Sequence, residues 1–305
     1  YHATEAIDLD MKFLSTAKSG TMPWAGAHSF NNINEFVLPL DHRTNDFTAG
    51  VEWASAKAML RLGWDGSYFS NDIQTVVWDN PIRLTDFNNG SPTAPWDASG
   101  YSNGNGAAQG RMSLFPDSSM NVFSATGLYK FPYRTTVNGT LQLTKQDQDE
   151  TIMPWTINNV INSVAPSNGY PGLASLPRAT AEAGVDAINA LINFNSRPAR
   201  WLTLQGRYRY NERDVTTPPF DATYNVRFDA VPENVPGTVT HQFDINRQTF
   251  DLNGTFNLSN AGAVRVGYTH DAFERHGRGF SDVSENIFRA SYDLISQQYF
   301  SVRAG

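Results

Sequence analysis

The 305-residue chain contains no cysteine. That absence removes disulfides, zinc thiolates, thiol catalysis and haem attachment through Cys-x-x-Cys-His, so any haem must belong to another protein. Charged residues are scarce, at 17%, and the net charge is −7. With a pI near 5.3 and no cluster of Lys or Arg, nucleic acid is set aside as a ligand. No segment approaches the roughly 18 consecutive apolar residues of a transmembrane helix, and the mean hydropathy of −0.42 agrees. Neither fact excludes a membrane β-barrel, whose alternating strands keep average hydropathy low while one whole face meets lipid. The sequence begins at Tyr1 with no initiator Met or signal peptide and stops inside a strand-like segment. A processed or incomplete chain is therefore expected.

What is present favours strands and turns. Aromatic residues reach 12%, Gly numbers 23, and Asn is plentiful, a mixture suited to an all-β chain. The segment 59–81 sets the pattern. Leu60, Leu62, Trp64, Gly66 and Tyr68 share one face of a strand, while Arg61, Gly63, Asp65 and Ser67 share the other, a period of two. A soluble sheet would bury the apolar face; a membrane barrel would show it to lipid and turn the charged face to its lumen.

The same alternation recurs along the chain. It predicts strands at about 4–14, 44–54, 120–130, 135–146, 185–195, 201–213, 248–258, 263–273 and 284–294, with a last partial strand: about ten or more in all, in a single domain over 1–305. Short turns are expected at 55–57, 131–134, 196–200, 259–262 and 296–298. Long loops rich in Gly, Pro, Asn or Ser are expected at about 15–39, 70–116, 147–183 and 214–240. Short turns alternating with long loops are the pattern of an antiparallel outer-membrane barrel, with its turns on the periplasmic side and its loops outside. Aromatics near predicted strand ends, Trp53, Trp64, Tyr68, Phe69, Tyr129, Trp201, Tyr208, Tyr210 and Tyr268, suit interfacial girdles.

The residues themselves resemble a known family. Gly50-Val51-Glu52-Trp53, the run from Leu60 through Gly66-Ser67-Tyr68-Phe69 to Asp72, and Trp78-Asp79-Asn80-Pro81 are similar to the MtrB/PioB family of decahaem-associated outer-membrane β-barrels. Lys18-Ser19-Gly20-Thr21, Pro116-Asp117 and Met153-Pro154 extend the likeness over most of the chain, although the block at 60–81 is its specific part. The resemblance implies localisation in the outer membrane of a Gram-negative bacterium and a larger barrel of which this chain is a part. It further implies a porin-like sheath that encloses a periplasmic multihaem cytochrome c and supports extracellular electron transfer, with an extracellular multihaem cytochrome able to dock on the loop side. Haem c then belongs to the cytochrome complex, and the barrel carries no cofactor of its own.

A polar lumen is expected to be lined by Arg61, Asp65, Gln142, Thr144, Asn189, Arg207, Arg209, Arg265, Arg289 and Asp293, which suits either water or a folded soluble protein. No catalytic, metal-binding or cofactor-binding residue is assigned. Asp147, Asp149 and Glu150, then Asp214, Asp221 and Asp229, are read as solvated loop carboxylates, since neither set matches a calcium loop. His270, Glu274 and His276 lie outside any helix that would gather them on one face. No Gly-x-Ser-x-Gly elbow supports a hydrolase built on the six histidines. Two alternatives stay open: a general porin passing small solutes, and a secreted soluble β-protein that binds glycans through Trp78, Trp96 and their polar neighbours.

Overall fold

The computed structural model describes residues 1–28, 32–79, 109–157, 176–227, 231–259, 262–277, 281–295 and 301–304. Twelve strands form one antiparallel sheet. In order across it they are β1 (His2–Thr4), β2 (Ile7–His28), β3 (Asn32–Ala54), β4 (Ala58–Asn71), β7 (Ser118–Phe131), β8 (Thr135–Gln148), β9 (Ala183–Ala199), β10 (Leu202–Val215), β13 (Ile245–Ser259), β14 (Gly262–Arg275), β15 (Asp282–Ile295) and β16 (Ser301–Ala304). Two further hairpins stand apart, β5 (Thr75–Asp79) with β6 (Gln109–Ser113), and β11 (Tyr224–Arg227) with β12 (Val231–Asn234). Among the described residues β1 and β16 do not pair, so the sheet has two edges. Among the described residues no helix is long and apolar enough to cross a membrane.

The register makes the alternation two-dimensional. Leu9, Val51 and Leu62 lie side by side across β2, β3 and β4, and Leu252, Tyr268 and Phe288 do so across β13, β14 and β15. All belong to the apolar face. Nothing in the sheet covers it: Met11 is 87% exposed and Phe288 79%. Among the described residues only Leu38, Val76 and Ala263 are deeply buried apolar side chains. A soluble β-protein needs a second layer over such a face, which removes the secreted glycan-binding alternative, while lipid supplies that layer for a membrane sheet.

Three expectations need correction. The expected loop at 15–39 is strand over its described residues, because β2 runs on through 15–28 and β3 begins at Asn32, the two pairing as strands of 22 and 23 residues. Both prolines that suggested a loop fit a strand. Backbone groups of even-numbered residues pair β2 with β3, whereas Leu9 faces β1 and Asp41 faces the β4 side. Pro23 and Pro39 share the parity of Leu9 and Asp41, so neither position's missing N–H costs a β2–β3 hydrogen bond. Residues 32–41 thus run beyond the last β3–β4 pair, His42 with Asn71, as an arm about 33 Å long. The second correction concerns the loops at 70–116 and 214–240, which hold the β5–β6 and β11–β12 hairpins. The third is the turn at 196–200: β9 continues through Pro198 to Ala199, with one extra residue of β9 between Ser196 and Ala199 taken up by a register shift opposite Leu202–Leu204 of β10. Trp96, Asp97, Asp229 and the turn at 296–298 lie outside the described residues.

Polarity along the arm marks a boundary. Phe13 and Phe47 pair on the apolar face with ring centroids 4.7 Å apart. One step further along that face, the Ser15 hydroxyl donates to Asn45 at 2.8 Å. Beyond this level the opposite face becomes apolar, and there Trp78 of β5 stacks on Phe36 at 4.6 Å beside buried Leu38. Phe47 also meets Trp64 and Tyr68, an aromatic group at the long-loop end of the apolar band. Tyr129 with Phe131, and Trp201 with Phe256, mark its short-turn end. Phe69 departs from the expected girdle: it lies on the face of Arg61 and packs against His42 at 5.3 Å.

Candidate functional site: the polar face

All ten expected lumen residues fall on the face opposite the apolar band. Cross-strand pairs place them in adjacent rows, because directly opposed residues of an antiparallel sheet share a face. One row runs Glu52, Arg61, Thr126, Thr140, Leu191, Arg209, Thr249 and Asp271. Its neighbour toward the long loops contains Gln142 and Asn189, and the next holds Asp65 and Thr144, both opposite Val122. On the short-turn side, Arg207 lies between Asn193 and Asp251. Arg289 pairs with Gly267, Arg265 with Ser291, and Asp293 with Ala263.

Most charges on this face are partnered within the chain. Arg61 reaches over β3 to Asp10 on β2, with Nη2 at 2.8 Å from Oδ1 and 2.9 Å from Oδ2. Glu52 lies on its other side at 3.8 Å. Glycine between them leaves room for the crossing: a Cβ at Gly50 would stand 2.6 Å from the Asp10 carboxylate and 2.8 Å from the guanidinium, so both side-chain ends would have to shift. Asp65 accepts the Thr48 hydroxyl at 2.8 Å. Arg265 and Asp293 form an ion pair of 2.5 Å. Arg289 donates to the Thr269 hydroxyl at 2.9 Å, which donates to Asp251 at 2.7 Å.

Arg247 grips Asp271 through two hydrogen bonds of 3.0 and 2.7 Å, and the Thr249 hydroxyl adds a third. Such bidentate pairs fix geometry as well as charge. Asp10, Glu52, Thr48, Asp251, Arg247 and Asp271 were not identified as site residues from the sequence. The short turn at 55–57 could have given the Glu52–Arg61 pairing by counting outward from it, but Asp10 becomes a partner only through the long hairpin. Arg207 and Arg209 differ from the others: both are exposed, and among the described residues neither has an ion pair or side-chain hydrogen bond.

The loop carboxylates do not gather. Asp149 accepts the Glu182 N–H at 3.0 Å, and Asp147 lies 3.8 Å from Lys145. Hydrogen bonds from Thr223, side chain first and backbone N–H second, hold the Asp221 carboxyl below its usual range, a local turn rather than an ion cage. His270 pairs with Asn286 at 2.9 Å. Among the described residues no three His, Asp or Glu side chains are grouped to hold a metal. On the long-loop side, a cavity of about 400 Å³ lies between β6, the segment at 114–117 and the segment at 150–155.

Comparison with known proteins follows from this geometry. A family model described as "putative outer membrane beta-barrel porin, MtrB/PioB" matches residues 1–304. The chain is 23% identical over 289 residues to the outer membrane protein MtrB of Shewanella baltica (strain OS185), covering 94% of this chain and 36% of that protein. It thus spans about a third of the length of that relative. Among solved structures, the FrpB iron transporter of Neisseria meningitidis is similar with a TM-score of 0.49 and 10% identity, over 98% of this chain and 41% of that one. A FadL homologue of Pseudomonas aeruginosa matches with a TM-score of 0.38 and 13% identity, over 97% of this chain and 65% of that one.

Proposed function

Because this chain belongs to the MtrB/PioB family of porin-like outer-membrane β-barrels, we propose that its polar face forms the wall of a sheath around a soluble periplasmic multihaem c-type cytochrome. The sheath supports electron transfer across the outer membrane. The barrel insulates and positions; it carries out no chemistry. Its apolar face meets the bilayer, and the ten residues of the polar face line the lumen. Short turns then lie in the periplasm and long loops outside, where an extracellular multihaem cytochrome can dock. The haem is the partner's, in keeping with a chain that has no cysteine to attach one.

The observation that carries this reading is the organisation of the polar face. Threonine, asparagine and glutamine alternate there with ion pairs held across strands, a firm and hydrogen-bonding wall that a folded protein surface can meet. A general porin would use the same face to pass solutes, so occupancy separates the two. Affinity purification of the full-length barrel from outer membranes should bring down a haem protein with a Soret band in constant ratio to the barrel. A haem-free preparation that conducts small ions in planar bilayers would assign the chain to the general porins.

A further inference from the structure

Resting on that reading, we propose that Arg207 and Arg209 of β10, with the amides around them, form a docking patch for aspartate and glutamate side chains on the surface of the enclosed protein. The patch stands out by what its arginines lack. Arg61, Arg247 and Arg265 each have a carboxylate from a neighbouring strand, and Arg289 donates to Thr269. Arg207 and Arg209 are exposed on the same face with no such partner among the described residues. They sit two residues apart on one strand, about 7 Å along it, so both guanidinium groups address the same surface.

Their surroundings are tuned for an anion but do not neutralise the arginines. Asn193 and Leu191 oppose them on β9, Asp251 and Thr249 on β13. Asp251 is the one acid in direct opposition, and its carboxylate accepts from Thr269, itself held by Arg289. Arg207 opens onto a polar cavity of about 390 Å³ lined also by Asn138, Asn193, Asn195, Gln205, Asn253 and Asp251. Asn193 donates to Asn138 at 2.9 Å, which fixes one amide and leaves the others to serve a visiting carboxylate. In a chain of net charge −7, two exposed arginines that face amides and the single carboxylate of Asp251, already engaged by Thr269, are a local excess of positive charge. Charge complementarity therefore selects an acidic patch on the partner. A guanidinium takes such a carboxylate with two parallel hydrogen bonds.

The test uses the intact barrel complex carrying Arg207→Lys and Arg209→Lys, which keep the charge and introduce amines. A water-soluble carbodiimide then joins each amine to any carboxylate it touches, and mass spectrometry locates the bond. The proposal expects an amide between Lys at 207 or 209 and an Asp or Glu side chain of the haem protein. In parallel, the Arg207→Glu, Arg209→Glu double variant should retain about tenfold less haem protein after a salt wash, a loss typical of unmatched interfacial charges. Adducts to Asp251 alone, adducts to a haem propionate, or no adduct in a complex that still contains the haem protein would overturn it. Absence of any haem protein from the unmodified barrel would instead overturn the sheath reading beneath it.

Discussion

At the residue scale, the two faces of each strand make opposite demands. Leu62 sits in the middle of the apolar band beside Val51, so Leu62→Arg places a charge in hydrocarbon. Unfolding of the barrel in lipid vesicles should show a loss of about 2–4 kcal/mol for this variant. Thr140→Arg, on the polar face in the row of Arg61, should change stability by well under half of that. Gly50 tests the lumen wall in a different way. Its missing side chain admits the Asp10–Arg61 bridge, so Gly50→Val should displace the pair while gaining about 0.5–1 kcal/mol of strand preference over Gly. The change in stability on Gly50→Val, read by urea unfolding, should therefore be less favourable by about 0.2–1 kcal/mol with Asp10 present than in an Asp10→Asn background, the worth of a partly exposed bridge. Equal effects of Gly50→Val in the two backgrounds would show that the bridge contributes nothing. Which residues face which way was legible in the sequence, because a period of two needs only local counting. The partners of Arg61 and Arg265 were not, since Asp10 lies 51 residues from Arg61 and meets it only once β2, β3 and β4 are in register.

At the element scale, the long β2–β3 hairpin is the main departure from the sequence reading. Pro23, Pro39 and Gly20 all point to a loop when read by composition. Each is compatible with a strand here: the prolines turn their ring nitrogens away from the β2–β3 ladder, and Gly20 takes a φ of 137° that favours glycine. The polarity switch after Phe13 could have revealed the arm, because an alternation that changes face is still an alternation. Beyond the bilayer level, the arm gains a partner in the β5–β6 hairpin, joined by the Phe36–Trp78 stack and by the Asn34 amide donating to the Asp79 carbonyl at 3.3 Å. Gly26 makes room for the Trp78 ring, which a Cβ there would meet at 2.4 Å. Trp78→Ala should detach this hairpin. Aromatic stacking beyond burial is worth about 0.5–1.5 kcal/mol, so proteolytic cleavage within β5–β6 should accelerate at least severalfold while the strands in the membrane stay protected. Unchanged cleavage would mean that the hairpin is held elsewhere.

At the scale of the whole molecule, the twelve sheet strands among the described residues leave two edges, and lipid tolerates no unpaired backbone edge. The chain covers 36% of its MtrB relative, a proportion in keeping with one sector of a larger barrel wall. In the proposed sheath, a haem protein lies against the polar face. The absence of cysteine makes a direct measurement simple. A single Cys in place of Asn189, on the polar face between Gln142 and Asn211, is compared with one in place of exposed Val235 at the end of β12. Both are treated with a membrane-impermeant maleimide, with and without the haem protein. The account predicts that Cys at 189 reacts readily in the emptied barrel and several times more slowly in the complex, while Cys at 235 reacts equally in both. Equal labelling at 189 in the two states would contradict it.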